Sequence, residues 1–309
     1  MVAISVTNLQ KSYGKQVVLD SIDLEVSKGS VFCLLGPNGA GKTTTINILS
    51  TLLRADGGIA TVNGFDVVAQ ASKVRTQISL TGQFAAVDDV LTGRENLVLI
   101  GELRHIDDPA GTAKDSLNEF GLSDAADRRA GTFSGGMRRR LDIAMGLIGD
   151  PEVIFFDEPT SGLDPQSRYM MWEKINSLSR EGRTVFLTTQ NLEEADRLAD
   201  KISILSKGKI IAEGTASDLK KLLPHGRIEL GFPDVEQMNA AAKLFQNYDV
   251  TPDNDTRSLM IVTDGSASQI ARIFTQIEDA HINISDFSQK TATLDDVFLK
   301  IISDHEGNK

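Results

Sequence analysis

Cysteine is almost absent from this sequence: Cys33 is the single one among 309 residues. One thiol cannot close an internal disulfide and offers no cysteine cluster for a structural metal, which suits a reducing compartment. Cys33 itself lies in the apolar run VFCLL, where a small buried residue is expected. Long apolar runs are missing too. No stretch approaches the roughly eighteen uninterrupted apolar residues that a membrane-spanning helix requires. The opening MVAISVTNLQKSYG also lacks a basic region followed by an apolar block. A soluble, cytoplasmic chain is therefore expected. Positive charge is in deficit, with 32 Lys and Arg against 43 Asp and Glu and a net charge of −11. Nucleic acid and anionic bilayers both repel such a chain, so nucleic acid is not expected as a partner and membrane contact needs a protein receptor. The one basic cluster, Arg138-Arg139-Arg140, precedes Leu141, Ala144, Met145 and Ile148 at helical spacing and reads as a solvated helix face.

What is present is an ordinary globular composition, 40% hydrophobic and 24% charged, in a chain longer than one average domain. The segments ISVTNL, VVLDSIDLEV and VFCLL read as strands, and TTTINILSTLL reads as a helix packed on a sheet. From about 84 to 150 helix patterns dominate, which predicts a helical subdomain inserted in an α/β core. Strands return with VIFF, TVFLTT and KISILSKG, separated by helix patterns. The core is expected to close near residue 223. After a break at Pro224, His225 and Gly226, residues 225–309 alternate between strand and helix character and predict a small, acidic α+β domain.

The strongest local signal is Gly36-Pro37-Asn38-Gly39-Ala40-Gly41-Lys42-Thr43, which fits G-x-x-x-x-G-K-[ST] between an apolar strand and a helix. Glycines let backbone N–H groups close around phosphates, Lys42 reaches the β- and γ-phosphates, and the Thr43 hydroxyl binds Mg²⁺. These residues and the adjoining Thr44 are the expected ligands of ATP. A second element, VIFF followed by Asp157-Glu158, places two carboxylates at the C-terminal end of a presumed parallel strand. Asp157 is expected to hold Mg²⁺ and Glu158 to act as general base on the attacking water. The fold class predicted is α/β, a P-loop NTPase.

Thr132-Phe133-Ser134-Gly135-Gly136-Met137, directly before a helix, resembles the signature sequence of ABC ATPases. Gly135 and Gly136 allow close backbone approach, and Ser134 with the helix N-terminus offers donors to a γ-phosphate. Other landmarks of that family follow in order across residues 1 to about 223. The resemblance implies adenine stacking on Tyr13, a Gln83 that links Mg²⁺ to the helical subdomain, and an Asp164 in Ser161-Gly162-Leu163-Asp164 that crosses a dimer interface. It further implies a head-to-tail homodimer with two ATP molecules sandwiched between subunits. An antiparallel β subdomain belongs to the same family fold.

Two departures narrow the likeness. Gln190 occupies the position of the family's switch histidine, and an amide can donate to a γ-phosphate but cannot carry imidazole charge. The signature has Phe133 and Met137 where leucine and glutamine are commoner. With TGQFAAVDDVLTGRENL, FSGGMRRRLDIA, TTQNLEEADRLAD and TLDDVFLKI, the chain resembles the daunorubicin-resistance type of drug-export ATPase. That resemblance implies a permease on a separate chain, attachment to the inner face of the membrane and a hydrophobic drug as cargo. Two rival readings share the phosphate chemistry. One is an ABC protein of ribosomes or DNA, which the absence of a tandem module, coiled-coil insertion and basic tail disfavours; the other is an ATP-binding switch with low turnover, motivated by Gln190.

Overall fold

Period-two alternation in the first 27 residues folds as two long antiparallel strands, β1 (Val2–Tyr13) and β2 (Gln16–Ser27), which turn Ile4, Val6, Ile22, Leu24 and Val26 inward. The computed structural model describes residues 1–83, 86–222, 226–290 and 293–307, without the side chains of 290 and 302–307. The wholly buried run VFCLL is β3 (Val31–Leu35), and α1 (Lys42–Leu49) follows it. α1 ends a turn earlier than the apolar pattern predicts. Thr51 takes a left-handed φ of 68°, the N–H groups of Leu52 and Leu53 turn back to the carbonyl of Asn47, and Leu52 is exposed. Then come β4 (Gly57–Val62), β5 (Phe65–Asp66), α2 (Ala71–Arg75) and β6 (Ile78–Thr81).

Between β6 and residue 152 no extended strand occurs among the described residues. α3 (Gly93–Leu103) opens on a capping box of Thr92 and Glu95, α4 (Pro109–Glu119) on Asp108, and α5 (Gly135–Leu147) on Ser134. The arginine run of α5 is not a solvated face. Successive helical residues turn by about 100°, so three in a row fan over more than half the circumference and one must point inward. That one is Arg139, 7% exposed, while Arg138 pairs with Asp89 and Arg140 donates to the carbonyls of Phe120 and Gly121.

β7 (Val153–Asp157), α6 (Pro165–Arg180), β8 (Thr184–Thr189), α7 (Leu192–Leu198), β9 (Lys201–Ser206) and β10 (Lys209–Gly214) complete the α/β part, and α8 (Ala216–Lys220) follows. A six-stranded sheet runs β10-β9-β3-β8-β7-β6, parallel except for edge strand β10, and a four-stranded antiparallel sheet runs β2-β1-β4-β5. Phe32, Phe155 and Phe186, from three adjacent parallel strands, pack with ring centroids 5.0 and 5.6 Å apart and anchor the interior. Register sets the functional edge: Leu35 lies opposite Thr189 and Asp157 opposite Thr188. The residues that follow these strands, Gly36, Glu158 and Gln190, therefore leave the sheet from one edge.

The chain divides into two compact units, Met1–Ala216 and Ser217–Lys309. The division falls a few residues before the expected break, of which Pro224 and His225 lie outside the described residues. In the second unit β11 (Gly226–Gly231), α9 (Val235–Leu244), β12 (Val250–Asp253), β13 (Ser258–Thr263), α10 (Ala267–Asp279) and β14 (Asp286–Lys290) form a β-α-β-β-α-β fold. Its antiparallel sheet has the order β12-β13-β11-β14. One face, Ile228, Leu230, Leu259 and Ile261, packs against Met238, Phe245, Ile273 and Ile277. The last helix, α11 (Leu294–Gly307), is tied to β11 by Arg227 and Asp296 at 2.8 Å.

Candidate active site

The loop from β3 to α1 is shaped by two positions that only glycine fits. A Cβ on Gly36 would lie 2.3 Å from the carbonyl oxygen of Leu205, and one on Gly41, at φ 113°, would meet Leu19 at 2.7 Å and the carbonyl of Val18 at 2.9 Å. Gly41 is the N-cap of α1 and brings no side chain to it, so the first N–H groups of the helix are left for another acceptor. Lys42 is buried and folds back over the loop, its Nζ donating to the carbonyls of Gly36 at 2.8 Å and Pro37 at 3.2 Å.

The second expected element lies against the first. Thr43 Oγ1 donates to Asp157 Oδ2 at 2.8 Å, and Thr188 Oγ1 from the neighbouring strand donates to Asp157 Oδ1 at 2.5 Å. Asp157 is thus held on both oxygens in a buried position beside the Thr43 hydroxyl. Glu158 comes within 3.3 Å of Lys42 Nζ. Its backbone is in the left-handed region, φ 50°, and its N–H donates to Thr188 O at 3.0 Å. A non-glycine residue in that region costs on the order of 1–3 kcal/mol and persists only where its surroundings fix it.

A cavity of about 440 Å³ collects half of the sequence-predicted residues: Tyr13, Asn38, Gly39, Gly41, Lys42, Thr43, Thr44, Gln83 and Glu158. Tyr13 is half-exposed, with the Lys11 ammonium over its ring at 5.7 Å from the centroid. A smaller cavity of about 240 Å³ joins Glu158 to Gln190, Thr160, Arg168 and Glu194. Glu158 therefore borders both. The Thr43 hydroxyl and the Asp157 carboxylate make a hard oxygen pair, and with the amide of Gln83, which shares the cavity with Thr43, they are the ligand types that suit Mg²⁺.

Ser134, Gly135, Gly136 and Asp164 do not line either of these cavities. They form a second cluster where the N-termini of α5 and α6 meet. Ser134 caps α5 by accepting from Met137 N at 3.2 Å, and Asp164 caps α6 by accepting from Ser167 N at 2.9 Å and Ser167 Oγ at 2.6 Å. The Ser167 donors hold the Asp164 carboxyl below the usual range. A Cβ on Gly136 would meet Ser167 Oγ at 2.6 Å, whereas Gly135 faces open space.

Four residues of this region escaped the reading of motifs. Thr188 secures Asp157, and Glu194 lies fully buried with Oε1 accepting from Trp172 Nε1 at 3.1 Å. Burial pushes the Glu194 carboxyl up, although Thr189, Thr160 and Trp172 favour its charge. Arg139 and Asp142 form a buried pair in α5, in which burial pushes the guanidinium down and the carboxyl up. A signal existed for two of them. Glu194 stands four residues before buried Leu198, and Arg139 four before buried Ile143, so both occupy apolar stripes where an unpaired charge is costly.

Residues 19–161 match the family model described as ABC transporter. Daunorubicin resistance ATP-binding protein DrrA3 of Streptomyces coeruleorubidus is 45% identical over 304 residues, covering 98% of this chain and 96% of that protein. Doxorubicin resistance ATP-binding protein DrrA of Mycobacterium tuberculosis is 44% identical over 313 residues, covering 98% and 94%. Among solved structures, an ATP-binding subunit of an ABC transporter matches with a TM-score of 0.65 and 28% identity over 71% of this chain and 92% of that one. An ATP-binding cassette of an ABC transporter in its ADP conformation gives 0.63 and 28%, over 71% and 92%. The fold is that of the ABC ATPase cassettes, with their P-loop NTPase core. With a glycine-shaped turn from β3 to α1 set against an Asp-Glu strand end, this chain belongs to the ABC transporter family, as a nucleotide-binding ATP hydrolase.

Proposed function

We propose that the chain powers efflux of a hydrophobic drug-like compound through a membrane-spanning permease on a separate chain, working as a head-to-tail homodimer at the inner face of the membrane. The cargo class is carried over from the resistance proteins, whose likeness runs through the second unit as well as the first. The observation that carries the chemistry is the convergence of Lys42, Thr43, Asp157 and Glu158 within hydrogen-bonding or ion-pair distance at one sheet edge.

In this reading the N–H groups of residues 38–44 and the Lys42 ammonium bind the β- and γ-phosphates of ATP, and Tyr13 stacks on adenine. Thr43, Asp157 and Gln83 would hold Mg²⁺, which would supply neutralising charge to the triphosphate. Glu158 accepts a proton from the water that attacks the γ-phosphorus, the bond to the β-phosphate oxygen breaks, and ADP and phosphate leave. Gln190 donates from its amide to the γ-phosphate. Ser134, whose oxygen accepts from Met137 N, keeps its hydroxyl proton to donate, and with the N–H of Gly135 it closes on the ATP of the twin protomer. Asp164 lies beside that contact. Removal of phosphate then reopens the pair, and the helical segment passes the movement to the permease.

The test uses the whole chain with MgATP. Glu158→Gln should bind ATP, accumulate as a dimer on size exclusion and lose about 10²–10⁴-fold in turnover. Undiminished hydrolysis would remove Glu158 from the role of base. Lys42→Ala should abolish ATP-dependent resistance in cells. Co-purification of a membrane protein from mild detergent extracts checks the partner; recovery with ribosomes or DNA instead would favour the non-transport reading.

A further inference from the structure

The buried arginine of α5 touches the backbone on both sides of the site. Arg139 Nε donates to the carbonyl of Pro159 at 3.0 Å, and its Nη1 donates to the carbonyl of Gly82 at 2.6 Å and to Asp142 Oδ2 at 3.2 Å. Asp142 Oδ1 in turn accepts the N–H of Ala86 at 2.9 Å. Gly82 and Pro159 are the immediate neighbours of Gln83 and Glu158. One rigid fork on the helix that begins at Ser134 therefore grips the peptide entering Gln83 and the peptide leaving Pro159. Its partner carboxylate grips the segment beyond Gln83. From these contacts we infer that Arg139, braced by Asp142, is a positioning residue that sets Gln83 and Glu158 relative to each other and to the Ser134 helix. This rests on the reading of Glu158 as base and Gln83 as Mg²⁺ ligand.

The strained backbone of Glu158 shows why such a grip matters. On one side its N–H is fixed to Thr188 O; on the other Pro159 follows, with its carbonyl fixed by Arg139. A residue at φ 50° before a proline keeps that geometry only while both flanks are held. Packing alone does not need a guanidinium here, because an apolar side chain of similar volume fills a buried helix face without the desolvation of two charges. What an apolar chain cannot do is hold two carbonyls from separate segments in a fixed fork. Lysine cannot do it either, since its ammonium is a single point of donation on a flexible stem. Arg139 also has a third nitrogen, Nη2, that is buried with no hydrogen-bond partner among the described residues.

The experiment compares the unmodified protein with Arg139→Lys, which keeps the charge for Asp142 but loses the fork, and with the double variant Arg139→Met/Asp142→Leu, which removes both buried charges together. Turnover, KM for MgATP, affinity for a fluorescent ATP analogue and Tm are measured on each. In both variants kcat should fall by about 10–10²-fold, the scale of misplacing reacting groups by an ångström, with affinity for the analogue kept within about threefold. Wild-type kcat in folded Arg139→Lys overturns the inference. So does a loss that follows Tm and nucleotide affinity together, which is the signature of a merely structural arginine. If Arg139→Lys does not fold, the double variant decides by the same split. Hydrolysis abolished by Glu158→Gln yet untouched by both variants sinks the positioning role alone; absence of hydrolysis in the unmodified protein sinks the parent reading and this one with it.

Discussion

Single residues in this site are fixed by space and by charge, and the two act differently under mutation. Gly36→Ala pushes a methyl to 2.3 Å from Leu205 O, which neither backbone can avoid without moving the loop. It should cost about 1–3 kcal/mol in denaturant unfolding and weaken ATP binding, whereas Gly39→Ala, with open space but φ 79°, should cost less. Glu194 tests charge. Its carboxyl is pushed up by burial, so the folded chain holds that proton more tightly than the unfolded one. The stability this gives is complete below the ordinary glutamate value, about 4.3, and is lost as pH rises through the raised one. Glu194→Gln can still meet Trp172 and cannot ionise, so its Tm should decline less than the parent's as pH is raised above about 4.3; parallel Tm curves would show that Glu194 does not titrate there. Gln190 makes the complementary case. An amide has no proton to lose, so Gln190→His should add a titration step near pH 6.5 to the turnover profile.

Elements carry the next level of control, and at the N-terminus of α5 the capping atom is also the one proposed to meet phosphate. Ser134→Ala removes the cap of α5, at a cost of about 1 kcal/mol, together with the proposed phosphate donor. Ser134→Asp separates the two, because aspartate caps well but repels a triphosphate. It should keep the parent Tm and lose ATP-dependent dimerisation in light scattering; a dimer of normal affinity would place the γ-phosphate elsewhere. The same elements show what could be read in advance. Local motifs were legible because they are contiguous: the loop from Gly36 to Thr43, Asp157-Glu158 and the Ser134 turn all lie where strand or helix patterns put them. Pairings across distance were not. Thr188 meets Asp157, and Arg139 meets Gly82 and Pro159, only through the register of β7 with β8 and the placement of α5, and no window of the sequence contains either. The arginine run misled for a similar reason, since three like charges in a row look solvated until the turn of the helix is counted against its neighbours. The apolar pattern predicts a longer α1 because it does not reveal the left-handed Thr51 that stops the helix.

At the scale of the whole molecule two units carry separate cores, one through the parallel sheet and one under α9 and α10. Calorimetry should therefore resolve two unfolding transitions, and MgATP should raise only the one that belongs to Met1–Ala216, by about 2.7 kcal/mol at a hundredfold excess over Kd. A single transition shifted as a block would mean that the units unfold as one. Within the first unit, Cys33 is wholly buried on β3, between β8 and β9, and burial pushes its thiol well up. No alkylating reagent reaches a protonated sulfur in that position until the sheet parts. The native chain thus carries its own clock of opening, and a cysteine introduced at its surface would be the only site to take a spectroscopic label while the fold is intact.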